Sequence, residues 1–431
     1  MADNKQVPAE AAQPDYSEPS QERQSELRAS HEANVTVGKP PYSDVGIHTM
    51  GELQWVLKER GWSTDPLSSQ ERIDFRGVDL SSANLKGASL YGSRLSGAFL
   101  LQVDLSEANL SDADLSDADL SGAKLNDANL EGANLSRADL REASLRRSQA
   151  SNANFTLTNM STGDVSYSDL SQADLTGSLF GPNVKGASLA GANLSKVIFG
   201  SQLVDVDLRA ARMDGATMLG SLSFPIGLSG NTRLLDVAWN GANPTALRWD
   251  VVPRLGDEAD IKAAASRAER VTALRNAARA YRGLSKALQA QGLTIPALRY
   301  RRREQQLERH ALLSSFALGP WVFSCLLNIV AGYGDRPGRA LACYLAVVGA
   351  FTGAYWAITN QVFGFIQSHS AHLAWYEALV LSISSFHGRG FFPSMLSLGD
   401  PIALVAAAEA IIGLFIELVF IATFTQRFFA R

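Results

Sequence analysis

From Phe75 to Phe180, Leu or Phe returns at nearly every fifth residue, usually with Ala, Ser or Val two positions earlier. The run Ala113-Asp114-Leu115-Ser116-Asp117-Ala118-Asp119-Leu120 shows one period and the start of the next. A spacing of five matches neither the 3.6-residue helix period nor the two-residue strand period, so an ordinary amphipathic element is excluded. A fixed short period demands a repeat architecture, in which each unit buries its apolar residues only by stacking on its neighbours.

The central positions run Phe75, Leu80, Leu85 and Leu90 through Leu145, Phe155, Leu170, Leu175 and Phe180, and their inward partners include Ala83, Ala88, Ala108 to Ala143 in steps of five, Ala153 and Ala173. After Gly181-Pro182 the phase slips and resumes at Leu189, Leu194 and Phe199. It slips again to Leu208, Met213 and Met218, and weakens toward Trp239, Pro244 and Trp249. These residues resemble the pentapeptide-repeat family, A(D/N)LXX. The resemblance implies an all-β right-handed quadrilateral β-helix with four pentapeptides to each square turn. Side chains twenty apart then stack, which sets Lys124 over Asp104, Arg137 over Asp117 and Arg147 over Asp127 as favourable cross-strand neighbours, and Asp119 over Asp139 and Glu107 over Asp127 as unfavourable ones. Some members of that family are acidic rods that mimic duplex DNA. Here the acidic run Asp104 to Glu131 is flanked by Arg137, Arg141, Arg146 and Arg147, so the charge is discontinuous. It reads as a solvated outer face, with no nucleic-acid partner expected.

A chain of 431 residues with net charge −4 calls for more than one domain and gives no hint of nucleic-acid binding. Residues 1–46 are polar and rich in Glu, Gln, Ser and Pro and read as a disordered tail. Residues 47–71 read as a short helical cap, with Thr49 and Glu52 spaced as a capping box. The solenoid is expected over 72–252. Beyond it, 256–310 reads as a helical hairpin: Ile261, Ala265, Ala268, Val271, Leu274, Ala278, Tyr281, Leu284 and Leu288 fall on one face of a single helix over 258–291, Gly292 ends it, and Thr294 and Pro296 start the next. The segments 279–287 and 297–304 resemble one tetratricopeptide-like hairpin, which implies a docking site or a spacer.

Residues 311–431 read as a membrane module. Spans are expected at 340–359, which is uncharged, and at 402–425, the second with Asp400 and Pro401 as N-cap and first helical residue. A third apolar stretch, 311–331, is interrupted by Gly319-Pro320. Arg299, Arg301, Arg302, Arg303 and Arg309 precede it, Arg336 and Arg339 follow it, and Arg427 and Arg431 close the chain, while 361–400 holds only Arg389. Two spans put every basic cluster on the cytoplasmic side, so 311–331 is read as interfacial and the protein as a multi-pass inner-membrane protein with a cytoplasmic solenoid and C-terminus. The order span, re-entrant helix and loop (374–393), span resembles the pore module of two-helix potassium channels, which implies ion conduction by a homotetramer. The family filter Thr-Val-Gly-Tyr-Gly would fall on Phe386, His387, Gly388, Arg389 and Gly390, where only the glycines match. Four Arg389 side chains on one axis suit an anion path or a closed plug, unless Arg389 pairs with Glu377 or Asp400. Gly332-Tyr333-Gly334-Asp335 spells a filter outright but precedes the first span, and is read as a turn.

Glu409, Gly413 and Glu417 share one face of the second span and are pore-lining candidates; alternatively Glu409 is protonated or bonded to Ser382 or Ser384. Gly349 and Gly353 make a small-residue face for helix packing. The histidines include His369 and His372 three apart with no third ligand nearby, and there is no phosphate loop, nucleophile elbow or CxxC. No enzyme activity, metal or cofactor is expected. Cys325 and Cys343 lie in apolar segments and suggest no disulfide. Two functions compete: an ion-conducting module regulated through a protein partner on the solenoid, and a non-conducting membrane-anchored scaffold.

Overall fold

The computed structural model describes residues 15–36, 42, 46–60, 72–181, 183–200, 203–214, 217–219, 231–242, 254–332, 337–360, 362, 372–387 and 401–428. It divides into two units, Met1–Glu308 and Arg309–Arg431. In the first, every pentad is one side of a square coil. Its central residue gives its N–H to the next coil (Leu115 N to Asn134 O, 2.7 Å) and the residue before it gives to the previous one (Asp114 N to Ser93 O, 2.9 Å). Between sides the chain turns at a bond such as Ala113 N to Leu110 O, 3.1 Å. Asp112, third in that turn, has φ 55°, which makes the corner a type II turn. Such corners ordinarily ask for Gly, and here Asp117, Asp127, Arg137 and Arg147 also take positive φ, at a local cost of about 1–2 kcal/mol each that the ladder must offset. The Asp/Asn preference has its own cause. Asp114 Oδ1 accepts from Ser116 N at 3.1 Å and Asn134 Oδ1 from Ser136 N at 3.2 Å, tying the side chain to the corner it precedes. Asn134 and Asn154 each also donate to the Asp114 or Asn134 oxygen one coil earlier, at 3.0 Å.

The axis is filled by the fifth-residue series, Phe75 through Phe199, essentially inaccessible. Isolated bridges such as Asp119↔Asp139 mark most coils. Where the pairing widens it forms a parallel sheet of β1 (Asn159–Met160), β2 (Leu179–Phe180), β3 (Ile198–Phe199) and β4 (Met218–Leu219). The slip beyond Pro182 is a single missing residue: Leu179 pairs with Ile198, one position earlier than the Asn159–Leu179 step demands, and Phe180 stacks on Phe199 at 5.0 Å. The second slip, before Leu208, is again one missing residue, since Ser188 pairs with Asp207 and Asn193 with Arg212, and an insertion follows it, since Asp207 pairs with Arg233. The three stacked ion pairs form, at 3.6 Å for Lys124–Asp104, 2.6 Å for Arg137–Asp117 and 2.7 Å for Arg147–Asp127. Glu107 avoids Asp127 by pairing with Lys86 at 3.1 Å. Pro244 and Trp249 lie outside the described residues.

Both ends of the coil stack are covered. Helix α2 (Met50–Arg60) follows a strand-like stretch whose Ile47 N–H bonds to Asp79 O at 2.9 Å. The expected capping box is half present: Glu52 N donates to Thr49 Oγ1, but the Glu52 carboxylate reaches to His48 N at 2.8 Å and to Arg23 at 2.9 Å. Arg23 belongs to α1 (Gln21–Thr36), a helix inside the stretch that composition reads as disordered. Its residues are polar, yet Leu27, Ser30 and Asn34 are buried and Arg28 lies over Trp55. At the far end Asp257, in a 3₁₀ turn (Gly256–Glu258), accepts from Leu234 N and Leu235 N at 2.8 and 3.1 Å, which satisfies donors of the last described coil. The helix expected over 258–291 is two, α3 (Ala259–Ala263) and α4 (Arg267–Ala290), because Ser266 and Glu269 form a full capping box that restarts it. After Gly292, α5 (Thr294–Ser314) folds back on α4, with Tyr281 stacked on Tyr300 and Arg282 bridging Glu304 and Glu308.

The second unit holds α6 (Leu318–Ala331), α7 (Pro337–Thr359), α8 (Trp375–Phe386) and α9 (Pro401–Phe428). Residues 338–359 and 401–422 are each long and apolar enough to cross a membrane. At 14 residues α6 reaches only about 21 Å, short of a bilayer core. It ends on Gly332, left-handed at φ 54°, so the first glycine of the filter-like string is a helix C-terminal stop; Tyr333, Gly334 and Asp335 lie outside the described residues.

Two outcomes follow for the first unit. Leu120→Ala is expected to destabilise it by about 2–5 kcal/mol, and Arg137→Ala by under about 1 kcal/mol because that pair is exposed, both read by urea titration with circular dichroism. Glu258 carries opposing influences: burial pushes its carboxyl up, but bonds from Arg303 and Tyr281 prevail and hold it below the ordinary 4.5. A carboxylate depressed on folding contributes stability above its ordinary range and loses it as the pH falls through the folded value. Arg303→Ala should therefore cost about 2 kcal/mol at neutral pH, with the gap to wild type narrowing below pH 4.5; a gap independent of pH refutes the assignment.

Candidate functional site: the α7–α8–α9 contact

Helix α8 packs against both long apolar helices, and α7 packs against α9. One buried cluster joins Tyr355 and Ile358 of α7, Ala378 and Leu381 of α8, and Ile402 and Ala406 of α9. Another gathers Val330, Ala340, Val348, Phe386, Ile416 and Val419. Glu377 of α8 turns back to accept from Ala374 N at 2.8 Å, fixing the helix start.

Between the clusters sits Glu409, at 0% exposure. Its Oε2 accepts from the Tyr355 hydroxyl at 2.7 Å and its Oε1 lies 2.5 Å from Ser382 Oγ. Ser382 Oγ is also 3.0 Å from the Val348 carbonyl. Of the two serines considered from sequence, Ser384 bonds its own helix at Val380 O. The carboxyl thus points inward, at α7 and α8, and away from any free face of the chain. Tyr355 was not legible as a partner, since nothing in its local pattern separates it from other aromatic residues in an apolar helix.

Gly413 is one turn further along α9. A Cβ there would stand 2.0 Å from the Phe386 carbonyl oxygen, so the glycine is where the end of α8 meets α9. Two turns beyond Glu409, Glu417 contacts His387 Nδ1, and both line a cavity of about 420 Å³ with Leu341, Tyr344, Phe386, Ile416 and Phe420 among others. Both members of the pair are partly exposed. Glu409 and Glu417 therefore share a face but not an environment. Gly388, Arg389 and Gly390 lie outside the described residues, as does Asp400. Around Gly349 and Gly353 a Cβ would meet nothing within 4 Å, so among the described residues no helix packs on that face. Among the described residues no group of His, Cys, Asp and Glu could hold a metal ion.

Residues 71–97, 83–122, 123–162 and 138–177 match the family described as pentapeptide repeats, in eight copies. Among solved structures, HetL, a pentapeptide repeat protein involved in heterocyst differentiation regulation from the cyanobacterium Nostoc sp. strain PCC 7120, is 28% identical, covering 42% of this chain and 79% of its own, with TM-score 0.30. A trypsin-treated form of QnrB1, a plasmid-mediated fluoroquinolone resistance protein, is 19% identical over 43% of this chain and 86% of its own, with TM-score 0.25. A pentapeptide repeat protein of the Arabidopsis thaliana thylakoid lumen is 31% identical over 25% of this chain and 66% of its own, with TM-score 0.10. No curated protein matches the chain.

Gly413→Ala should force α8 and α9 apart, because the atom in the way is backbone and cannot rotate aside; the expected cost is about 1–3 kcal/mol, seen as a lowered melting temperature of the detergent-solubilised protein. Gly349→Ala, with open space around it, should leave that temperature unchanged or raise it slightly.

Proposed function

We propose that this pentapeptide-repeat protein is embedded in the cell membrane, where four copies of its C-terminal unit assemble around an ion path and its solenoid serves, in the cytoplasm, as the binding surface for a regulating protein partner. The observation that carries this reading is α8, a 12-residue helix held between α7 and α9. If α7 and α9 cross in opposite directions, Thr359 and Pro401 lie on the same side of the bilayer, and the segment between them dips in and returns. At about 18 Å, α8 is too short to cross. Non-helical backbone at that depth requires surrounding protein or a water-filled path, which four modules around an axis would supply. The arginines before α6, at the start of α7 and at the end of the chain favour the cytoplasmic placement of solenoid and C-terminus.

In this arrangement Glu417, midway along α9, and His387, at the C-terminal end of α8, are partly exposed and are the polar groups available to a path. Glu409 is not, since its oxygens are taken up within its own chain. That internal satisfaction favours a second reading, a non-conducting anchor that displays a protein-binding rod. Ion flux through the purified protein in liposomes separates the two. Conduction is expected, with Glu417→Gln changing the size of the flux and Arg389→Ala shifting selectivity from anions toward cations. Silence of a cross-link-verified tetramer under voltage, pH and osmotic challenge selects the anchor.

A further inference from the structure

Glu409 is buried with neutral neighbours. Among the described side chains, the titratable groups on the three helices are Tyr355 of α7, which bonds it, with Arg339, Cys343 and Tyr344 further along α7; Tyr376 and Glu377 in the first turn of α8, the latter bonded to Ala374 N; His387 after α8, engaged with Glu417; and Glu417 of α9 itself. No cationic side chain among the described residues contacts the carboxyl. A carboxylate removed from water with two neutral donors and no countercharge is a strongly disfavoured arrangement. One positive charge resolves it, and the oxygens are placed to take one. Ser382 has a single hydroxyl hydrogen but two acceptors in reach, Glu409 Oε1 at 2.5 Å and, at 3.0 Å, Val348 O, which also accepts from Thr352 Oγ1 at 2.7 Å. A proton on Oε1 completes the chain: Oε1–H donates to Ser382 Oγ, Ser382 donates to Val348 O, and Tyr355 donates to Oε2.

The same atoms are a hard, all-oxygen donor set with one negative charge. That set is wrong for soft metals, and its single carboxylate suits a monovalent ion rather than a divalent one. We propose that Glu409, Ser382, Tyr355 and the Val348 carbonyl form a binding site for one monovalent cation, a proton in the arrangement described and Na⁺ as its competitor. The site joins all three helices, so its occupancy clamps α8 between α7 and α9, and an empty, charged carboxylate pushes α8 out. The position of α8 is thereby linked to cation activity. The inference rests on the membrane placement proposed above and not on conduction.

Dicyclohexylcarbodiimide tests it. The reagent is apolar and adds to a protonated carboxyl: the carboxyl proton goes to one carbodiimide nitrogen, the carboxyl oxygen bonds the central carbon, and rearrangement leaves a stable N-acylurea with nothing oxidised or reduced. The full-length protein in liposomes is treated and its peptides weighed. Preferential labelling of Glu409 over Glu417, slower as the pH rises, is expected. Protection by Na⁺ but not by choline establishes both occupants, with Tyr355→Phe raising the Na⁺ needed for half-protection about tenfold; labelling indifferent to Na⁺ establishes the proton alone. Infrared difference spectra between wild type and Glu409→Gln look for the protonated carboxyl independently of reagent access. Absence of both the label and that carbonyl band overturns the proposal. A labelled protein that passes no ions overturns the pore reading and leaves this one standing.

Discussion

A parallel coil stack can satisfy every backbone group except those of its first and last turns, and that deficit shapes the first unit. Each interior pentad exchanges hydrogen bonds with the coils on both sides, so the repeat itself carries no information about where to stop. The stop must come from residues outside the pattern. At one end the backbone at Ile47 and His48 pairs with the first described coils and α1 and α2 close over it; at the other the Asp257 carboxylate takes two backbone donors and α3 and α4 follow. Edge protection here is covalently part of the chain, which is why a rod so regular does not offer an open template for endless pairing.

The same logic decides what could be read from the sequence. The five-residue period, the slips beyond Pro182 and the stacking of Arg137 on Asp117 and Arg147 on Asp127 are legible because each depends on spacing alone. The α1 helix is not legible, because its residues find their partners only in α2 and the segment before it: Arg23 is held by Glu52 and Gly46 O, and Arg28 by Glu59 and the Trp55 ring. The break between α3 and α4 was present as Ser266 and Glu269, a start signal inside an apolar stripe that periodicity overrode. The reason for Asp or Asn in each repeat also escapes a pattern: it is a hydrogen bond to the residue two further on.

In the second unit the sequence identified the polar residues of the last helix but not their circumstances. Glu409, Gly413 and Glu417 lie on one stripe by spacing. Packing then gives them three different roles. Glu409 is enclosed by α7 and α8, Gly413 makes room for the α8 terminus, and Glu417 meets His387 beside a cavity. Periodicity specifies a direction around one helix; which neighbour stands there depends on α8, whose placement is a tertiary fact.

Those three roles are mechanically coupled, since one short helix is their common partner. Ser382 and Phe386 are one helical turn apart on α8, so the group that meets Glu409 and the group that meets Gly413 move as a rigid body. His387, next in the chain, follows them. Any event that loosens Ser382 from Glu409 must also relax the contact at Gly413 and shift His387 against Glu417. A helix that touches both of its long neighbours through a buried carboxyl at one level and a bare backbone contact at the next has few intermediate positions, because neither contact can be half made. The α7–α8–α9 contact is therefore built to occupy discrete arrangements rather than to deform smoothly.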